Sequence, residues 1–469
     1  MEMNTCRSAV AKAFALGVAG AASVGIAHAQ SSSGAAVTAD SFVQLYGHLD
    51  LSLDEATKGI KGRTTGVSSP TTPNAPPPGA PAEGRLGWLP AVSSNLSYFG
   101  VRGGREVAPG VRAVFQIETQ VDVSATPGTS ISNSSADNSV KGAFSSRNSY
   151  LGLAGAFGAL KLGKTDAPYK LSTARMDPFS ASVGDYNSIM GNTGGDNRAE
   201  FDTRISHAVW YESANWGGFR VNALYSPGQN RNGSNLLPPA GEPSCRGGNN
   251  PDCNDGSFDD AYSLSGVYES GPLYATVAYE LHKHANRTTD EAANGGSSPD
   301  GSIGIKDESA WKGGVQYTFA GSTTINAIVE RMVRHAPNQN FNERQRNGFW
   351  LAVTQKITPK DDLNVGWAHA GNTPGDVGTN RSDGTFAAGP VDNKANMYAL
   401  GYKHHFDKQA NWYAVYARQV NHDGAHYDLG ASGHGITTDC HDGRPVSVGG
   451  RCFAGSTLQA LSVGMQYNF

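Results

Sequence analysis

Three features of the sequence predict an all-β fold, a 16-stranded antiparallel transmembrane β-barrel with short periplasmic turns and long external loops. Apolar and polar residues alternate with period two over segments of about ten residues, which places one strand face in an apolar medium and the other in water. The connections between these segments alternate short and long along the whole chain. Charged residues recur at the polar positions of many strands. A dry core penalises them heavily, whereas a wetted lumen accommodates them.

The chain opens on Arg7 and Lys12, an apolar Ala13–Ala27 stretch and the triplet Ala27-His28-Ala29. This is the pattern of a cleaved secretory leader, so residues 1–29 are set aside and 30–469 are taken as one barrel domain. Lys and Arg number 37 against 41 Asp and Glu, a net charge of −4, and loss of the leader leaves 35 against 40. Neither balance has the basicity of a nucleic-acid binder. No later stretch reaches the ~18 uninterrupted apolar residues of a spanning helix.

The first strand is Phe42–Leu53, with Val43, Leu45, Leu49, Leu51 and Leu53 on one face and Gln44, Tyr46, His48, Asp50 and Ser52 on the other. Asn95–Gly103, Val111–Val123, Arg147–Gly155, Ala159–Thr165, Thr203–Ser213, Phe219–Ser226 and Asp260–Ser270 follow. Leu273–Lys283, Glu308–Phe319, Thr323–His335, Asn347–Ile357, Leu363–Ala370, Lys394–His404, Asn411–Val420 and Thr457–Phe469 complete sixteen. In Glu308–Phe319 the outer face reads Trp311, Val315, Tyr317 and Phe319, and the inner face Ala310, Lys312, Gly314 and Gln316. An even count brings both barrel ends to one side of a membrane. A sandwich has no reason to keep the loop rhythm, and a propeller would show blade motifs. The tract Ser68–Gly84, with six prolines, reads as an extended spacer in the first long loop.

Four cysteines remain after the leader, as the local pairs Cys245/Cys253 and Cys440/Cys452 in Gly/Asn/Asp-rich loops. Export to an oxidising compartment favours a disulfide in each loop. His422, His426, His434 and His441 beside Cys440 and Cys452 lack the spacing of a tetrahedral zinc site, and no metal or cofactor is expected. No nucleophile elbow or other catalytic signature is present, so no catalytic residue is expected. Gly163-Lys164-Thr165 lacks the glycine-rich run of a phosphate loop.

The segments Ser97-Tyr98-Phe99-Gly100-Val101-Arg102-Gly103 and Val111-Arg112-Ala113-Val114-Phe115-Gln116-Ile117-Glu118 resemble a hairpin of Gram-negative general diffusion porins of the β-proteobacterial type. Arg147–Leu153 with Phe157–Lys164 resembles the next hairpin, Arg204–Ser213 the strand that follows the inward loop, and Tyr467-Asn468-Phe469 the family's assembly signal. The resemblance implies a homotrimer in the outer membrane, in contact with lipid and lipopolysaccharide and inserted by the barrel-assembly machinery. It implies a third loop, 166–202, folded into the lumen, and passive passage of ions and small hydrophilic solutes. On matching positions the basic side of the constriction is Arg102, Arg147, Lys164 and Arg204. The acidic side draws on Glu118 and on Asp177, Asp185 and Asp196 of the loop. Tyr98 and Lys164 stand where the family usually has arginine, which weakens the positive side, and the first external loop is unusually long. Opposed charges across such a ring create a transverse field that favours polar solutes.

Two readings share the barrel. A substrate-specific channel would carry an aromatic track, but the inward aromatics Tyr46, Trp210, Tyr274 and Trp350 are scattered along the chain. An adhesin or receptor would use the long loops. General diffusion is the preferred expectation.

Overall fold

The computed structural model describes residues 41–57, 62–64, 81–82, 88–124, 140–141, 145–191, 201–227, 258, 260–286, 305–335, 345–372, 392, 394–422, 425, 427, 429, 453–454 and 457–469. The leader and Asp196 lie outside the described residues. So do Cys245 and Cys253, and Cys440 and Cys452, and with them both expected disulfides.

One antiparallel sheet closes on itself as a barrel of sixteen strands. β1 is Ser41–Thr57; β2 runs as Trp88–Ser94 and then Tyr98–Ala108; β3 is Val111–Val121. β4 is Ser149–Gly155, preceded by the short pair Val140–Lys141; β5 is Gly158–Asp166 and β6 Arg204–Glu212. β7 to β10 are Phe219–Ser226, Ala261–Ser270, Leu273–Asn286 and Ile305–Phe319. β11 to β13 are Thr323–Arg334, Gln345–Thr358 and Asp361–Ala370. β14 to β16 are Ala395–His405, Ala410–Asn421 and Thr457–Asn468. The expected strands are all present and the expected rhythm of short and long connections is kept. β1 pairs on one side with β2 and on the other with β16, from His48 opposite Asn468 to Ala56 opposite Ala460.

Burial runs opposite to that of a soluble protein. On β1, Leu45 is 60% and Leu53 66% exposed, while Asp50 is 1% and Ser52 3% exposed. Two aromatic belts bound the outer apolar band, as interfacial rings do at a bilayer. At the short-turn end these are Trp216, Phe219, Tyr317, Phe319, Phe406, Tyr467 and Phe469, and towards the long loops Tyr225, Tyr262, Trp311, Phe349, Trp367 and Tyr398. The second belt runs from β7 to β14. On β1–β6 the exposed outward side chains are aliphatic, including Leu45, Leu53, Val92, Ile117, Leu151 and Leu162, with Phe42 and Trp88 near the two ends.

Two irregularities re-aim the inner face of this aliphatic sector. Asn95–Ser97 on β2 occupies the space opposite Leu49 and Asp50, one residue too many, with Leu96 at φ 51°. Asn95 and Ser97 keep the inward parity of Ser93, and the β-bulge lets the adjacent Tyr98, opposite His48, face inward as well. Asn95 Nδ2 then donates to Ser52 Oγ at 2.9 Å, and Ser97 Oγ accepts from the Asp50 amide at 2.9 Å. On β6 the pairing with β5 slips between Ile205 and Ala208, with His207 at φ 52°. Sequence alternation alone places neither bulge.

At the seam, the Phe469 amide donates to Gly47 O and the Gly47 amide to Phe469 O, at 3.1 and 3.0 Å. The Phe469 ring lies over Gly47, where a Cβ would come within 2.4 Å of it and 2.9 Å of Tyr98 O. Gly47→Val is expected to displace that ring and destabilise closure by about 1–3 kcal/mol. On heat-modifiability gels the folded band should disappear at a lower temperature than in the wild type; an unchanged melting profile contradicts this role for Gly47.

Candidate constriction site

The chain leaves β5 at Asp166 and turns into the lumen as a six-residue helix α1, Pro168–Thr173, followed by helical turns at Ala174–Met176 and Tyr186–Ser188. It lies against the inner faces of β8–β14. The wall there is cut away by glycine: a Cβ on Gly314 would meet Met176 Sδ at 2.8 Å, on Gly348 Met190 Sδ at 2.6 Å, and on Gly401 Phe179 Cε1 at 2.9 Å. Met176, Phe179, Tyr186, Ile189 and Met190 fill the trough against Ile328, Trp350, Met397 and Ala399. Polar ties hold it in register. Trp350 Nε1 donates to Met176 O at 3.1 Å, Tyr274 Oη to Ser172 O at 2.7 Å and Tyr169 Oη to Glu330 Oε2 at 2.9 Å, while Glu330 Oε1 accepts from the Gly191 amide at 3.0 Å.

The loop returns through Phe201, which stacks on His282 of β9 at 4.9 Å, and Phe258 covers the other face at 4.5 Å. His282 Nδ1 is 2.7 Å from Glu308 and Nε2 is 3.1 Å from Glu280. A carboxylate only accepts, so two such bonds engage both ring nitrogens as donors. Next to it, Lys312 pairs with Asp202 and lies 4.0 Å from the Tyr169 ring centroid.

The wall left open is β1–β6, and it collects most of the predicted basic residues. Arg147 binds Glu118 at 2.6 Å, both nearly fully buried, so these two share one wall as a pair. Removing either partner strands the other, at about 3–5 kcal/mol. Arg204 reaches Asp166 at 3.0 Å and Asn148 Oδ1 at 2.7 Å, and Lys170 of α1 reaches Asp166 at 3.0 Å. Arg102 is exposed and donates to Gln44 Oε1 at 3.0 Å; among the described residues it has no carboxylate partner. Lys164 is half-buried opposite Ser149, directly after Gly163, whose φ of 145° breaks the alternation of β5.

The loop carboxylates sit differently from the expectation of an acidic rim. Asp177 accepts from the Phe179 and Tyr186 amides at 2.9 and 3.3 Å, and Asp185 from the Ala181 and Asn187 amides at 2.8 and 2.9 Å. Both are buried and brace the loop's own backbone. Sequence reasoning missed Lys161, bound to Glu212 at 2.7 Å, and Arg175, which with Arg220 holds Glu269 at 2.7 Å from each. Inward parity on β5 marks Lys161; nothing local marks Arg175. The scattered aromatics are sorted by the fold: Tyr274 and Trp350 lie under the loop, while Tyr46 and Trp210 join Tyr98 and Tyr150 on the open wall.

Burial, and then the neighbouring Asp185 carboxylate, push the Asp177 carboxyl well above its usual range. The docked loop therefore binds more protons than the undocked chain between about pH 4 and that raised value. Docking is strongest below about pH 4, weakens as pH rises from there through the raised pKa, and above that value no longer depends on this group. Hydrogen-exchange protection of the 179–189 amides, corrected for intrinsic rates, should be greater at about pH 5 than at about pH 8. Asp177→Asn should flatten the difference, and a persistent pH dependence in that variant rules Asp177 out.

A profile of the Gram-negative porins matches residues 13–424. The major outer membrane protein P.IA of Neisseria meningitidis serogroup C is 24% identical over 209 residues, 42% of this chain and 45% of that protein. The chain thus spans about half the length of the curated relatives it matches. Among solved structures, an anion-selective porin from Comamonas acidovorans superposes with TM-score 0.61 at 18% identity, over 92% of this chain and 100% of that one. The trimer form of OmpT from Vibrio cholerae superposes with TM-score 0.52 at 16% identity, over 92% and 100%. With a closed inverted barrel, a loop seated in its lumen and a profile match over most of its length, this chain belongs to the Gram-negative porin family.

Proposed function

We propose that the protein is an outer-membrane pore for passive diffusion of ions and small hydrophilic solutes, with a preference for anions. The observation that carries this reading is a barrel whose inner face is polar and charged and of which the described residues of the loop cover only half. Solutes move down their gradients along the uncovered half, and no chemical step or cofactor is required. Leader cleavage after Ala29 belongs to the same proposal, as do a disulfide between Cys245 and Cys253 and another between Cys440 and Cys452. Insertion by the assembly machinery through the Tyr467/Phe469 end and contact with lipopolysaccharide complete it.

The sign of selectivity follows from how the charges are used. On the open wall Glu118, Asp166 and Glu212 are each held by a cation at 3.0 Å or less. Asp177 and Asp185 are turned into the loop backbone, and the half-buried charges that α1 and the next turn present are Lys170 and Arg175. Arg147, Lys161 and Arg204 are engaged in those pairs, so Arg102, exposed and with no carboxylate partner among the described residues, is the wall cation that acts on passing ions, Asp196 being the carboxylate still assigned to the acidic side. A cationic wall in a narrow, low-dielectric ring raises the local anion concentration.

A homotrimer suits the distribution of aromatic side chains. Interfacial rings are needed where a barrel meets lipid headgroups. The aliphatic outer face of β1–β6, including Leu45, Leu53, Ile117, Leu151 and Leu162, suits burial against neighbouring copies.

Planar-bilayer recordings test both parts. Conductance steps in groups of three and a chloride-selective reversal potential in a KCl gradient are the expected results. Arg102→Glu should reduce the chloride-to-potassium permeability ratio by about two-fold or more, since a full charge reversal acts at close range. An unchanged ratio takes Arg102 out of the constriction, and absence of conductance overturns the pore.

A further inference from the structure

The open wall carries more than charge. From the long-loop end towards the short turns, its three tyrosine rings each bear a cation. Arg147 Cζ lies 4.4 Å from the centroid of Tyr98, Arg102 Cζ 4.8 Å from that of Tyr46, and Lys161 Nζ 4.6 Å from that of Tyr150. The rings are coupled in turn. Tyr98 meets Tyr46 edge-on at 6.4 Å, and Tyr150 meets Trp210 edge-on at 5.5 Å. Arg102 and Tyr150 both pair in register with Gln116, from opposite sides, so their strands are about 10 Å apart. Glycine makes room for this arrangement. A Cβ on Gly100 would come within 2.6 Å of Tyr46 Oη, and one on Gly152 within 2.7 Å of the Lys161 stem.

The members differ in what they offer a solute. Arg147 and Lys161 are buried and neutralised by Glu118 and Glu212. Trp210 is buried as well, its Nε1 donating to Glu212 at 2.9 Å. Tyr46, Tyr98 and Tyr150 are half-buried and Arg102 is exposed. The accessible part is thus one guanidinium without a carboxylate partner among the described residues, set between two groups of aromatic rings. A guanidinium is a fork for a carboxylate, and ring faces and edges attract a flat apolar body.

We propose that the Tyr98–Tyr46–Arg102–Tyr150 strip is a binding track for anions with a flat apolar face, aromatic carboxylates being the simplest class. The carboxylate sits on Arg102 and the ring rests against Tyr46 and Tyr98 or against Tyr150. Two ring groups flanking one charge give successive weak stations, which lets a solute enter and leave. Small inorganic anions use the charge alone, neutral aromatics the rings alone, and aromatic cations are repelled. The proposal rests on the pore reading and adds a substrate class to it.

The test is single-channel recording of the purified protein in KCl, with benzoate, acetate, benzyl alcohol or benzylammonium added at equal millimolar concentrations. Benzoate is expected to produce brief current interruptions and excess noise at least about two-fold above acetate, with benzyl alcohol and benzylammonium near the acetate level. In Arg102→Gln and Tyr150→Leu, each referred to its own current in KCl, the excess should fall towards that of acetate. Equal effects of benzoate and acetate overturn the track, as does a benzyl alcohol effect as large as that of benzoate or an undiminished effect in Arg102→Gln. In each of those cases the channel itself still conducts. If no conductance is seen in KCl alone, the pore reading fails, and the track with it.

Discussion

An inverted barrel has no apolar interior to hold an inserted segment, so everything at the constriction depends on how the lumen loop docks. Here the docking is by shape as much as by charge. Gly314, Gly348 and Gly401 remove side chains from the inner wall, and Met176, Phe179 and Met190 take the space. The result is a small apolar core inside a wetted barrel, with hydrogen bonds from Trp350, Tyr274, Tyr169 and Glu330 fixing its register. Dispersion and area burial stabilise it as they do any core. The position of the other charged groups follows, because the loop decides which half of the wall its described residues leave uncovered.

The same docking explains the charge pattern. A loop carboxylate facing the lumen would be solvated, whereas Asp177 and Asp185 cap backbone amides that the tight turns leave without partners. Those amides are obligatory donors, and burying them unpaired costs more than redirecting a side chain. The bracing carboxylates are thereby withdrawn from the lumen, while the β1–β6 wall keeps Arg102 unneutralised by any described carboxylate. Among the described residues, an apolar plug lies against one half of the wall, and the other half carries paired charges, half-buried tyrosines and the exposed Arg102.

Strands were legible in the sequence because alternation reports a two-sided environment, and a membrane barrel supplies the sharpest one. Their order and the rhythm of the connections followed from the same pattern. What period two does not encode is local departure from it. The bulges at Asn95–Ser97 and Ser206–His207 depend on non-glycine residues at positive φ, and Gly163 breaks parity just where Lys164 was assigned. Inward parity placed Glu118 in the lumen, but its partner Arg147 lies just before the neighbouring strand β4 rather than across the pore. Parity has no purchase on a loop, so the roles of Asp177, Asp185 and Arg175 emerged only from three-dimensional contacts. One signal of the loop does lie in the strands: glycines at inward positions of β10, β12, β13 and β14 outline its footprint.

The seating of the loop also has a mechanical side. A thin cylinder under lateral pressure fails by flattening, and a segment stapled across β8–β14 acts as an internal rib for that half of the circumference. Among the described residues the opposite arc has no such rib and is pitted with Gly100, Gly152 and Gly163, so on its own it is the compliant side. That arc is also the one whose outer surface lacks the second aromatic belt. If the proposed trimer forms through that arc, its neighbours supply the missing stiffness, and the calibre of the barrel depends on them.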